Sequence, residues 1–208
     1  DIIQGYLFSK PLDKEGFEYE TSDIILDGGN FIYNGFDTAI ITKRIFKDNP
    51  NYNKIQLEDK LKKLLNLNHI IFINEEPGDV LGHADGQVHF IQKDILFISD
   101  FEGKYIVKDE IYNVLPNIKI IDIPSNYIEE GQYDENIPSA KGLYINMMQT
   151  NDTIYIPKYN LKTDDEIINI VKKYTAKNIK QIDVENLSTM GGSINCLTWY
   201  CPDEFLPQ

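Results

Sequence analysis

The chain has 208 residues, with 20 Lys and Arg against 33 Asp and Glu, and therefore a formal net charge of −13. A hydrophobic fraction of 42% and an aromatic fraction of 12% exclude a disordered chain, and no apolar run approaches the ~18 residues of a membrane span. The acidic balance argues against a nucleic-acid partner, which requires clustered Lys and Arg, and it suits either a small cationic substrate or plain solubility.

The first predicted unit has the order strand, strand, helix, strand. The first strand is an extended run at Ser22–Asp27 that stops at Gly28-Gly29 and continues at Phe31–Tyr33, and the second strand is Asp37–Thr42. A helix at Gln56–Leu65 and a strand at Ile70–Ile73 follow. The helix is predicted from leucines at positions 57, 61, 64 and 65, which form one stripe at helical spacing.

The same order then returns twice. The second unit comprises strands at Gln87–Ile91 and Ile95–Ile98, a helix at Val107–Leu115 and a strand at Ile118–Ile123. The third comprises strands at Leu143–Gln149 and Thr153–Ile156, a helix at Asp164–Tyr174 and a strand at Ile179–Val184. Thr163 and Glu166 have the spacing of a capping box. A last strand is predicted at Ser193–Trp199, and Glu129–Pro138 is the best candidate for a long functional loop.

A glycine opens each unit and the final strand. The four positions are Gly28, Gly86, Gly142 and Gly192, at spacings of 58, 56 and 50 residues. Units of this kind bury their faces only against neighbours. We therefore predict one α/β domain over residues 1–208, built of three ββαβ units and a closing strand. If the units are related by rotation about an axis, equivalent positions lie close together.

Reactive side chains cluster near these glycines. They are Asp27 and Asn30, His83 and Asp85, Asn146, and Asn195 and Cys196. A thiol, an imidazole and a carboxylate brought together are typical of nucleophilic catalysis at sulfur. The thiolate is the nucleophile, so a cation, either charged His83 or a bound substrate, must favour it. Further carboxylates need a positive ligand, and a planar guanidinium matches two of them.

Each residue has a simpler interpretation on its own. Cys196 alone is typical of a buried core thiol, His83 of a structural histidine, and the glycine pairs of turns. A metal site is another alternative, with ligands from His83, Asp85, His89 and the cysteines Cys196 and Cys201. The spacing H-x-D-x-x-x-H is not a strong zinc signature, so we predict no metal. Two cysteines are too few for a disulfide scaffold.

Four short blocks resemble the agmatine deiminase and bacterial-type peptidyl-arginine deiminase family, within the guanidino-group-modifying superfamily. The blocks are Asp27-Gly28-Gly29-Asn30, then Gly82-His83-Ala84-Asp85-Gly86, then Leu143–Asn146 with Ile154–Pro157 and Asp164-Asp165-Glu166, and finally Gly191–Thr198, which reads GGSINCLT. They occur in the family's order and span residues 27–198.

The resemblance implies a five-fold α/β propeller of the pentein type that hydrolyses a guanidino C–N bond without a cofactor. Cys196 would attack the guanidinium carbon to give a thiouronium intermediate, and His83 would transfer protons. Asp85 would hold guanidinium nitrogens, while Asp27 would orient His83 or bind guanidinium. Asn146 would line the pocket; the other candidates for substrate binding are Asn30 and Asn195. The products would be a ureido compound and ammonia.

The chain departs from the family pattern at three points. Asn195 stands where agmatine deiminases usually have histidine, and Asp27 is one methylene shorter than the family's glutamate. The upstream R-D-x-G-P block, which carries a second guanidinium-binding carboxylate, is absent. We therefore expect that N-terminal propeller units are missing, or that a homo-oligomer or a second chain completes the ring.

The resemblance leaves the substrate and the reaction open. Agmatine, arginine and peptidyl-arginine are alternative substrates; the acidic balance favours agmatine. An amidinotransferase would share the same intermediate, and a non-catalytic propeller that serves as a binding module is a third alternative. We expect no membrane partner. No basic segment followed by an apolar one is seen, which predicts a cytoplasmic protein.

Overall fold

The structure is a computed structural model that describes residues 21–129 and 131–198. Within these ranges it contains three sheets of three strands each. The strands are β1 Ile32–Tyr33, β2 Thr38–Thr42, β3 His69–Ile73, β4 Val88–Gln92, β5 Ile95–Ser99, β6 Lys119–Ile123, β7 Met148–Gln149, β8 Thr153–Lys158 and β9 Asn178–Asp183. The helices are α1 Arg44–Asp48, α2 Lys54–Leu65, α3 Lys104–Tyr112, α4 Asp164–Val171 and α5 Glu185–Ser188. Two short 3-10 helices span Gly28–Asn30 and Asn195–Leu197.

The three sheets share one topology. In each sheet the first two strands pair antiparallel, and the second and third pair parallel across a helical connection. A parallel pair needs such a crossover because its strands run in the same direction. The predicted repeat of three ββαβ units is therefore confirmed.

Both faces of the central strands are buried. Adjacent strand residues point to opposite faces, so Ile40 packs with Val88 and Leu96 of the second unit, whereas Ile41 packs with Leu57 of its own unit's helix. Because neighbouring units cover one face and helices the other, these strands are apolar throughout rather than alternating. This packing holds the starts of adjacent units against each other.

Helix α2 follows the predicted leucine stripe. Leu57 and Leu61 are fully buried, and Leu64 and Leu65 pack against the same cluster. The helix begins two residues before the predicted start, because Asn53 and Gln56 form a reciprocal capping box.

Three predicted strands are wrong or too long. Ser22–Asp27 forms no strand, because the Asn49 side chain both donates to and accepts from the backbone of Ile25. The segment predicted at 143–149 is a strand only at its end, in β7. The segment predicted at 193–199 contains a 3-10 helix instead, and Trp199 lies outside the described residues.

The predicted capping box at the start of α4 is also wrong. The Thr163 hydroxyl lies 2.7 Å from the hydroxyl of Tyr144 and makes no cap. Asp164 instead accepts hydrogen bonds from the backbone N–H groups of Leu161 and Tyr159. Helices α1 and α5 are not predicted from the sequence, because they are too short to show helical periodicity.

The predicted loop at residues 129–138 contains, among its described residues, a single bridge between Asp134 and Ile137. The backbone of Tyr133 donates to the carbonyl of Thr189, next to α5. A function for this loop stays a prediction. None of the helices in the described ranges combines the length and the apolarity needed to cross a bilayer.

Candidate active site

The turn at Gly29, in the first ββαβ unit, is hydrogen-bonded to the start of the second unit. The carbonyl of Gly29 accepts hydrogen bonds from the backbone N–H groups of Ala84, at 3.1 Å, and Asp85, at 2.9 Å. A Cβ at position 29 would lie 2.4 Å from Nδ1 of His83, so only glycine lets the imidazole approach this closely. The D-G-G-N and G-H-A-D-G blocks are therefore one packed structure.

The imidazole of His83 lies beside the carboxylate of Asp27. Nε2 of His83 is 3.3 Å from Oδ2 of Asp27. The Asp27 side chain is 61% exposed, whereas that of His83 is 19% exposed. The backbone N–H of His83 donates to the carboxylate of Asp79 at 2.8 Å, which fixes the loop that carries the imidazole. This geometry suits an imidazole that is oriented by one carboxylate and exchanges protons with a ligand.

Asp85 is a buried carboxylate. Its Oδ2 accepts a hydrogen bond from Nδ2 of Asn195 at 2.9 Å and one from the thiol of Cys196 at 3.5 Å. Burial raises the pKa of Asp85, and the hydrogen bond from Asn195 and the neighbouring His83 oppose that rise. A buried negative charge of this kind favours a cationic ligand.

The thiol of Cys196 faces polar groups. Nδ2 of Asn146 lies 3.3 Å from its sulfur. Burial of the sulfur and the negative charge of Asp85 both oppose ionisation and raise the pKa of the thiol to about 12. The residue as a whole is nevertheless exposed to solvent. The thiol is therefore protonated at neutral pH in the free protein.

Asn146 joins three segments of the site. It is buried, and its Oδ1 accepts hydrogen bonds from the backbone N–H groups of Asn195 and Cys196, at 3.0 and 3.4 Å. Its Nδ2 also donates to the backbone carbonyl of Asp85 at 3.3 Å. These bonds explain why residues 195–197 form a turn and not a strand.

The structure brings most of the candidate residues together. Cys196, Asp85, Asn146 and Asn195 contact one another, and His83 pairs with Asp27. Asn30 is different, because it is buried and its Oδ1 accepts a hydrogen bond from the backbone of Thr42 at 2.7 Å. It thus holds the end of β2, and its role in substrate binding stays a prediction.

Sequence reasoning missed two residues next to the site. The hydroxyl of Tyr159 lies 2.7 Å from the hydroxyl of Ser193, inside the segment that carries Cys196. The only signal in the sequence was the place of Tyr159 directly after β8, close to the Ile154–Pro157 block.

The alternative metal site finds no support among residues 21–129 and 131–198, where no three His, Cys, Asp or Glu side chains are placed to hold an ion. His89 is buried in β4. Burial and the nearby charge of Lys177 lower its pKa to about 4. Cys201 lies outside the described residues.

Three ββαβ units whose starts converge on a thiol, a buried carboxylate and an imidazole define a pentein-type α/β propeller. The model of the Porphyromonas-type peptidyl-arginine deiminase family matches residues 6–202. The chain belongs to this family.

Solved structures and curated relatives agree with this assignment. An agmatine deiminase from C. jejuni superposes with a TM-score of 0.76 at 23% identity, over 91% of this chain and 60% of that one. An agmatine deiminase of Enterococcus faecalis gives 0.73 at 21% identity, over 90% and 60%. An agmatine deiminase of Medicago truncatula is 25% identical over 96% of this chain and 63% of its own length. The chain spans about three fifths of its curated relatives, for example 58% of one from Marinomonas.

Proposed function

We propose that this chain carries the active site of a hydrolase that acts on a guanidino C–N bond, as an agmatine deiminase does. The single observation that carries the proposal is the contact of 3.5 Å between the thiol of Cys196, an exposed residue, and the buried carboxylate of Asp85. The family and the names of the similar proteins support it.

The site favours a small cationic guanidino substrate. Asp85 offers a carboxylate that is largely withdrawn from water, and a planar guanidinium presents N–H groups in the geometry that a carboxylate accepts. Asp27, which is more exposed than His83, adds a second carboxylate beside the imidazole. The net charge of −13 also attracts a cation to the protein.

Binding of the cation would also activate the nucleophile. In the free protein, Asp85 opposes ionisation of Cys196 and helps to raise its pKa to about 12. A guanidinium next to Asp85 would offset that negative charge and favour the thiolate. The thiol would therefore become a strong nucleophile only when the substrate is present.

The proposed reaction has two halves. As the bound guanidinium offsets the charge of Asp85, the thiol of Cys196 gives up its proton, which His83 takes up. The thiolate attacks the guanidinium carbon and forms a C–S bond; the C–N bond to one terminal nitrogen then breaks, and His83 gives that nitrogen the proton with which it leaves as ammonia. In the second half, a water molecule gives a proton to His83 and attacks the thiouronium carbon. The C–S bond breaks and the sulfur regains its electron pair and takes up the proton of the new hydroxyl group, so that the ureido product leaves with a C=O bond; His83 then returns its proton to solvent, where it protonates the ammonia.

The experiment is to incubate the full-length protein with agmatine, arginine and a peptidyl-arginine, and to measure ureido product and ammonia. We expect the two products in equal amounts, with agmatine as the preferred substrate. Formation of an amidino product when an amine acceptor is added would indicate transfer instead of hydrolysis. A folded protein that turns over none of these compounds would falsify the proposal.

A second candidate is a propeller that binds guanidino compounds without turnover. One observation favours it: the amide of Asn195 occupies Oδ2 of Asp85, next to a thiol that is protonated at neutral pH. Calorimetry distinguishes the two, because this candidate requires that agmatine bind in a stable complex while no ammonia is released.

A further inference from the structure

Two consecutive hydrogen bonds link the hydroxyl groups of Ser193 and Tyr159 to the carbonyl of Leu143. Tyr159 is fully buried, and its phenol oxygen is 2.9 Å from the carbonyl oxygen of Leu143 and 2.7 Å from the hydroxyl of Ser193. A carbonyl oxygen only accepts, and a phenol has one proton to donate. The direction is therefore fixed: Ser193 donates to Tyr159, and Tyr159 donates to Leu143.

These two hydrogen bonds connect the segment that carries Asn146 with the segment that carries Cys196. Leu143 precedes Asn146 by three residues, and Ser193 precedes Cys196 by three. The carbonyl of Leu143 also accepts from the backbone N–H of Asn146 at 3.4 Å. The bond between Tyr159 and Ser193 thus ties both segments together three residues before Asn146 and Cys196, whose side chains are in contact.

We propose that Tyr159 is a positioning residue that holds the sulfur of Cys196 beside Asn146 and Asp85. It acts through Ser193 and Leu143 and does not touch the substrate. The inference rests on the proposed function, because it takes Cys196 as the nucleophile. Within a site of this kind, a displacement of about 1 Å is enough to cost roughly a hundredfold in rate.

Tyr144 provides a matched control. Its ring packs edge-to-face on that of Tyr159, with centroids 5.1 Å apart, and it too is fully buried. Its hydroxyl, however, donates to the carboxylate of Asp164 at 2.6 Å, at the start of α4. Each Phe variant therefore removes one buried hydroxyl from the same ring pair, but only one of them breaks the link to the nucleophile's segment.

The experiment measures alkylation of Cys196 by iodoacetamide as a function of pH, in full-length protein that carries Cys201→Ser. We expect Tyr159→Phe to shift the profile to lower pH, because the released sulfur moves away from the charge of Asp85. Tyr144→Phe should leave the profile in place. The kcat of Tyr159→Phe should fall by about tenfold with little change in KM, as expected for a misplaced nucleophile.

Ser193→Ala breaks the same link from its other end, and it keeps the test valid if Tyr159→Phe does not fold. We expect the double variant to shift the alkylation profile no further than the larger of the two single shifts, because the residues act through one bond. Equal shifts in both Phe variants, or no shift in either Tyr159→Phe or Ser193→Ala, would overturn the inference. Alkylation needs no turnover, so an inactive protein with the expected shifts would refute the proposed function and leave the positioning role standing.

Discussion

The sulfur of Cys196 lies 3.5 Å from a carboxylate oxygen of Asp85, a residue 111 positions earlier in the chain. A carboxylate at that distance disfavours the thiolate, and burial disfavours the carboxylate's own charge. Both penalties are relieved when a cation binds between or beside the two groups. In the proposed function, this contact would keep the thiol protonated in the empty site and favour a cationic ligand.

Cys196→Ala should abolish turnover, with kcat reduced by more than about 10⁴-fold, because no other group replaces the nucleophile. Cys196 is exposed, so the free energy of unfolding should change by no more than about 0.5 kcal/mol. Activity assays and urea denaturation check the two parts. Cys201→Ala is the matched control and should keep its activity. A strongly destabilised variant would mean that Cys196 is instead a core thiol.

Asp85→Asn should stabilise the protein at neutral pH by about 1 kcal/mol, as happens when a strained functional group is removed. Burial raises the pKa of Asp85 in the folded state, so the carboxyl's contribution to stability is complete below the ordinary aspartate pKa and is lost as pH rises through the folded value. The advantage of the variant should therefore vanish in acid. Thermal melts at several pH values measure it. If the variant were less stable at neutral pH, the hydrogen bonds from Asn195 and Cys196 would outweigh the cost of desolvation.

The same substitution should make the thiol more acidic. Because the charge of Asp85 helps to raise the pKa of Cys196 to about 12, Asp85→Asn should bring the alkylation midpoint to lower pH, towards the ~8.5 of a free thiol. Asp100→Asn is the control, since that carboxylate is exposed and pairs with Lys104. An unchanged midpoint in Asp85→Asn would show that desolvation alone sets the acidity of the thiol.

Gly29→Ala should impair catalysis more than folding. The added Cβ would lie 2.4 Å from Nδ1 of His83, and the imidazole would have to move away from Asp27. We expect kcat to fall by about a hundredfold, in the range that loss of general acid–base catalysis produces. Gly86→Ala is the control, because its Cβ would meet only Leu143, at an ordinary 3.9 Å. Equal activity in the two variants would argue against a role for His83 in proton transfer.

Much of the fold could be predicted because its signals are local. The leucine stripe that ends at Leu65 and the apolar runs Ile70–Ile73 and Ile95–Ile98 each report on a few neighbouring residues, and the glycine spacing shows that the pattern repeats. The two wrong predictions at 193–199 and at the start of α4 have the same cause, a hydrogen bond to a residue distant in the sequence. The strand predicted at 193–199 is a turn because Asn146, some fifty residues earlier, binds the N–H groups of Asn195 and Cys196. Likewise, Thr163 does not cap α4 because its hydroxyl contacts Tyr144.

The sequence by itself determined the repeating unit, the family resemblance and the identity of the thiol, imidazole and carboxylates near each unit's first glycine. Only the tertiary structure decided which of them meet: Asn195 bonds to Asp85, Asn30 holds β2, and Tyr159 anchors the segment of Cys196. The physical reason is the separation along the sequence over which each effect acts. Hydrophobic periodicity and turn chemistry act between residues close in sequence, whereas the distances and charges that set reactivity arise between segments that only the packing of whole units brings together.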